Sequence, residues 1–193
     1  MAHKTISDEA FLDKALDMFR SRGYEGVSLR QLSAASGLEK ASMFYRYPGG
    51  KNEVVMAVVK RVIAWFEVNV FSPLREEGSP QKRVAIVAAK LRIFYHHGTR
   101  PCITDVLSIA GGSEELATTL RVALEAWLKA FTDIAKESGM PLSLARSKAE
   151  EAIIRIEGSL VLARVLGNRA PFLNVIKLLP ELLTSKRERL PRR

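Results

Sequence analysis

"GLEKASMFYRYPGGKNEV", residues 37–54, decides how this chain folds. Gly37 on one side and Pro48-Gly49-Gly50 on the other bracket a segment of about two helical turns, roughly Glu39 to Tyr47. Glycine and proline are helix stop signals, so this segment is a short helix of its own and not an extension of its neighbours. It gathers Phe44, Tyr45, Arg46 and Tyr47, and Lys51 follows the turn. Such a cluster suits either a catalytic loop or a helix end pressed on a nucleic-acid backbone.

The residues upstream favour the second. In "SLRQLSAASG", Ser28 with Gln31 three positions on forms a capping box, Leu29 and Leu32 point inward, and Gly37 ends the helix. In "TISDEAFLDKALDMFRSRG", Thr5 and Asp8 give the same pattern. Phe11, Ala15 and Phe19 then line one stripe beside Leu12 and Leu16, and Gly23 closes it. Three short helices, the last two joined by a tight turn at Ser36-Gly37-Leu38, make a helix-turn-helix unit.

Charge agrees in placement more than in amount. The 193 residues carry a formal net charge of +9, but residues 1–51 hold eight basic against six acidic side chains. Between Arg30 and Lys51, however, Arg30, Lys40, Arg46 and Lys51 face one acid, Glu39, whereas the first helix holds Asp8, Glu9, Asp13 and Asp17. One face can meet phosphate while another stays in water.

Position by position over residues 6–55, the series Phe11, Ala15, Phe19, Gly23-Tyr24, Val27-Ser28-Leu29-Arg30-Gln31-Leu32, Ala35-Ser36-Gly37-Leu38, Lys40 to Pro48 and Lys51 resembles the DNA-binding head of the tetracycline-repressor (TetR) family. "PGGK" and "IEGSLVLAR" are most similar to its LmrA/YxaF-like drug-exporter regulators. The resemblance implies that Lys40, Ala41, Ser42 and Met43 face bases. Ser28 and Arg30 then touch backbone or base, and Tyr45, Arg46 and Lys51 hold phosphate or pack on the core. Lys51 at a helix start also promises an anion site. Phe44 stands where the family usually has Tyr, so a phosphate-binding hydroxyl is missing there.

Other chemistries find little support. "GGKN" lacks the earlier glycine of a phosphate-binding loop, where Tyr45 stands, and the Ser/Thr after its lysine, where Asn52 stands. His96 and His97 are helix neighbours about 100° apart, with no carboxylate or thiol at ligand spacing. Three histidines and no Ser/His/Asp set argue against an enzyme, and neither metal nor cofactor is implied. Cys102 is the only cysteine, so a reducing, cytoplasmic setting is the simple reading. No segment has the length and apolarity of a membrane span.

The rest reads as helices, giving an all-α chain of about nine, with a DNA-binding domain over residues 1–51 and a ligand-binding and dimerisation domain over 52–193. A long amphipathic helix, "KNEVVMAVVKRVIAWFEVNVF", links the two. Ser79-Pro80 opens the next, which runs to His97-Gly98. "RPCITDVLSIAGG" is short, Ser113 starts another that runs to Gly139, 143–167 is long, and Pro171 opens a last one kinked or broken at Pro180. Phe94, Tyr95, Trp127 and Phe131 are candidates to line an apolar effector pocket, with His97, Asp105 and Arg164 as polar partners. Cys102 offers a rival trigger through thiol chemistry, or is inert packing. "AIIRIEGSLVLARVLG" is apolar on more than one face and must bury each. Ile153, Ile156, Gly158, Leu160 and Ala163, with Ile176, Leu179 and Leu183 of the last helix, are expected in a four-helix dimer interface, or else in an ordinary core. The expectation is a homodimeric repressor that binds a double-stranded operator and is released by a small hydrophobic molecule. A helical protein-interaction module with a basic face is the alternative.

Overall fold

Helix α1, Asp8–Arg22, starts where Ser7 turns its hydroxyl to accept a hydrogen bond from the Ala10 amide, two residues later than the Thr5 cap read from the sequence. Phe11, Ala15 and Phe19 are buried along one stripe, and Asp8 and Glu9 suit the positive end of the helix dipole. The computed structural model describes residues 6–37, 40–109 and 111–185; the side chains of Lys40 and Ala41, together with Thr5 and most of the basic tail, lie outside them. Among the described residues all regular structure is helical.

Contacts divide the chain into two units. The first takes residues up to Ala64 together with Pro101–Ala123, the second Trp65–Arg100 together with Leu124 onward. In the first unit, α2, Leu29–Ser36, carries the expected capping box: the Ser28 hydroxyl accepts from the Gln31 amide, and the Gln31 side chain accepts from the Ser28 amide. Gly37 ends α2 in the left-handed conformation, φ 72°, which costs a residue with a Cβ about 1–2 kcal/mol. Helix α3, Lys40–Arg46, follows that turn, and α4, Gly50–Phe66, follows Pro48-Gly49. The Lys14 ammonium donates to the Ala35 carbonyl at 2.8 Å, and Arg61 of α4 holds Asp13 at 3.0 Å, so α1 is tied to both neighbours. The short helix α7, Ile103–Ser108, packs on α1.

The second unit begins where α4 widens into a π-helical turn, Glu67–Phe71, closed by the Ser72 amide on the Glu67 carbonyl, and runs straight on into α5, Ser72–Arg75. Helix α6, Pro80–Phe94, is capped by Ser79 with proline at its start. Its Arg83 is 5% exposed; its two terminal nitrogens donate to the Leu74 and Glu76 carbonyls at 2.7 and 2.8 Å and to the Glu137 carboxylate, while its Nε finds no acceptor. Helix α8, Glu114–Glu137, starts in the first unit and ends in the second. Helix α9, Leu142–Val165, and α10, Ala170–Thr184, pack on each other, and α10 also covers α6. α10 runs on through Pro180, which does not break it as the sequence allowed. It forfeits one hydrogen bond, but Ile176, Leu179 and Leu183 around it are buried, and that packing holds the helix together.

Candidate nucleic-acid interface

Helix α3 has two sides with different duties. Met43 and Tyr47, one turn apart, are 2% and 8% exposed, and the Tyr47 ring lies 5.2 Å from that of Phe11. Burial, with the nearby Asp8 carboxylate adding to it, raises the Tyr47 hydroxyl above its ordinary pKa. Met43 therefore anchors the helix and has no surface for a base, contrary to the sequence expectation. Ser42, Phe44 and Tyr45 are exposed, Phe44 by 45% and Tyr45 by 90%. Lys40 and Ala41 open the same helix, but their side chains are not among those described.

The cations behave differently from the sequence reading. One Arg46 N–H group donates to the Asp8 carboxylate at 2.8 Å and to the Ile6 carbonyl at 3.1 Å, fastening the end of α3 to the start of α1. Its charge is engaged inside the protein before any phosphate arrives. The Lys51 ammonium sits 4.0 Å over the Tyr24 ring, donates to the Tyr24 carbonyl at 3.2 Å and lies 3.7 Å from the Glu25 carboxylate. The anion site expected at this helix start is taken by the chain itself, since the Gly49 amide donates to the Glu53 carboxylate at 2.7 Å. Arg30 is exposed on α2, and Ser28 uses its hydroxyl for the capping box.

The effector candidates separate into groups. In the second unit Trp127 lies 5.1 Å from Phe66 and 5.7 Å from Phe131, Phe66 lies 5.6 Å from Phe94, and Phe94 lies 5.1 Å from Tyr95. Trp65 stacks on Phe94 at 4.1 Å. Trp65 and Phe66 were missed in the sequence, although consecutive aromatics closing an amphipathic helix were a visible signal. Trp127 is 4% exposed and its indole N–H has no hydrogen-bond acceptor. His97 and Arg164 are exposed, and His96 and His97 both adopt positive φ, 46° and 58°. Cys102, buried at 4%, and Asp105 belong to α7 and its cap in the first unit. Among the described residues no cluster of three His, Cys, Asp or Glu is placed to hold a metal, and no helix is long and apolar enough to cross a membrane.

The dimer assignment needs correction. Ile153, Ile156, Leu160, Ala163, Ile176, Leu179 and Leu183 are all buried within this chain, and surface already removed from water cannot be buried again. The large apolar residues that α9 leaves exposed are Leu142 at its start and, further along, Ile154, Val161, Leu162 and Val165, with Leu166 just beyond and Leu178 on α10. Gly158, which has open space where a Cβ would stand, lies in the register of that stripe. A groove of about 90 Å³ beside it is lined by Lys148, Glu151, Arg155, Leu178, Glu181, Leu182 and Ser185. That is far below the roughly 300 Å³ at which drug-sized sites begin.

Residues 11–58 match the family model described as bacterial regulatory proteins, tetR family. Residues 81–178 match the model of the transcriptional regulator LmrA/YxaF-like C-terminal domain. The HTH-type transcriptional regulator LmrA of Bacillus subtilis (strain 168) is 23% identical over 186 residues, covering 92% of this chain and 96% of that protein. A TetR transcriptional regulator from Legionella pneumophila shares the fold with a TM-score of 0.81 at 17% identity, over 92% of this chain and 98% of that one. The TetR family regulator CifR, solved as a cysteine mutant complexed with a 26-bp operator duplex, aligns with a TM-score of 0.72 at 20% identity, over 95% and 99% of the two chains.

Proposed function

Because this chain belongs to the tetR family of bacterial regulatory proteins, with a C-terminal domain of the LmrA/YxaF-like kind, we propose that it is a homodimeric repressor, released from a pseudo-palindromic operator by a small hydrophobic ligand. The carrying observation is the division of α3: Met43 and Tyr47 lock one side into the core, and Ser42, Phe44 and Tyr45 are exposed to solvent. A helix held from behind and open in front is what entry into a major groove requires. That CifR was captured on operator DNA supports the same mode here.

Reading falls to residues 1–51, with Ser28, Arg30, Lys40, Ala41, Ser42 and Tyr45 as contacts; effector binding and dimerisation fall to 52–193. The exposed stripe Ile154, Val161, Leu162 and Val165 meets its twin across a twofold axis, and a dimer that reads two half-sites needs its reading helices about one DNA turn, ~34 Å, apart. The effector enters among Phe66, Phe94, Trp127 and Phe131. A buried N–H without an acceptor costs about 1–3 kcal/mol, so a ligand bringing an acceptor to Trp127 regains that energy on binding. Binding releases DNA only by as much as it favours one state over the other.

Selection from a random duplex library tests the operator: an enriched inverted repeat that resists competition by unrelated DNA is expected, and equal binding to all duplexes at every salt concentration refutes it. Operator release by a panel of hydrophobic aromatic compounds tests the effector. Trp127→Phe is expected to weaken release and Cys102→Ser to leave it intact. The opposite pattern gives control to the thiol.

A further inference from the structure

We propose that α3 reads thymine through its 5-methyl group, with the Phe44 ring as the reading surface beside Tyr45; this rests on the operator reading above. The described side chains of α3 leave little else to read with. Arg46 is held by Asp8 and Ile6, and Met43 is buried in the core. What remains outside is Ser42 and two aromatic rings, exposed by 45% at Phe44 and 90% at Tyr45. Guanine shows the major groove two acceptors, O6 and N7, which call for a cationic fork; thymine shows one acceptor and a methyl group, which accepts apolar contact. A phenyl ring has no donor for guanine and no hydroxyl for phosphate. Its productive contact in the groove is with the methyl, from which it displaces water.

The prediction isolates that methyl. From the selection described above, each thymine of the enriched half-site is replaced in turn by uracil, which differs only in lacking the methyl. At one position per half-site the affinity of the wild-type protein is expected to fall by about fourfold, the worth of one buried methyl. Cytosine placed there binds poorly, and 5-methylcytosine regains part of the loss. Phe44→Leu keeps an apolar contact and with it the uracil penalty; Phe44→Ala binds uracil and thymine duplexes alike.

A wild-type scan in which uracil costs nothing at any position overturns the inference, and it needs no variant to fold. So does a penalty of equal size in wild type and Phe44→Ala. If the wild-type selection enriches no sequence, the operator reading and this inference fall together, whereas an enriched operator indifferent to uracil refutes the thymine contact alone.

Discussion

Val165→Asp is expected to split the dimer and leave the subunit folded. Val165 is 77% exposed at the end of α9. Fully burying a valine side chain is worth about 1.5–3 kcal/mol, so about 1–2 kcal/mol remains to be gained at this site when a partner covers it. A twofold axis uses the residue twice, so the substitution removes about 2–4 kcal/mol from association before any repulsion between carboxylates is added. That raises the dimer dissociation constant by roughly thirty- to a thousandfold. The isolated subunit should lose no more than about 0.5 kcal/mol, because the side chain touches little within its own chain. Leu160→Arg, five residues earlier but 1% exposed, puts a charge into the core and should unfold the subunit instead. Sedimentation equilibrium across a concentration series, paired with urea denaturation of each variant, separates the two. A Val165→Asp protein that stays dimeric at wild-type affinity refutes the assignment of this face, as does one that unfolds while Leu160→Arg does not.

Arg46→Ala should lower the stability of the head by about 1 kcal/mol, mainly through the lost Ile6 carbonyl bond, because Asp8 is well exposed. The salt slope of DNA binding should not change, and a fall of about one unit would show that Arg46 reaches phosphate after all. Gly98→Ala should cost about 2–4 kcal/mol by thermal denaturation, from a left-handed φ of 94° and a Cβ placed 2.8 Å from that of Phe172; a cost under about 0.5 kcal/mol refutes the clash. Burial raises the Glu151 carboxyl, but the Lys148 hydrogen bond and the Arg155 charge outweigh it and hold the group below its ordinary 4.5. Its stabilising share is complete above that value and disappears as pH falls through the depressed one. The melting temperature of wild type should therefore drop more steeply than that of Glu151→Gln below about pH 4.5, and parallel curves would refute it.

The helix-turn-helix was legible because its signals are local. The Ser28–Gln31 box, the stop at Gly37 and the Phe11–Ala15–Phe19 stripe each lie within a few turns of chain. Arg46 was not legible, since Asp8 stands 38 residues away and no spacing rule links them. Met43 was placed among the base contacts by resemblance alone, and a seven-residue helix has too few positions for its period to correct that; the ring of Phe11 and the buried Tyr47 fix which side turns inward. The dimer face failed for a related reason. Apolar excess announces that two surfaces of α9 are covered without saying which residues turn inward, and size does not decide it: Ala149, Ala152 and Ala163 are buried with Ile153, Ile156 and Leu160, while Ile154 and Leu162 are exposed. Pro180 shows tertiary packing overriding a local breaker.

The wide turn at Glu67–Phe71 has a consequence for how this chain tolerates insertion and deletion. A π-turn holds one residue more than the α-turn it replaces, so it is an insertion absorbed without breaking the helix. Removing one residue there would let α4 wind on as ordinary α-helix, with α5 and everything after it kept attached to a continuous rod. Removing one from α9 would rotate its second half by about 100° and carry its packed side toward water. Chain length is thus more negotiable at this turn than within α9.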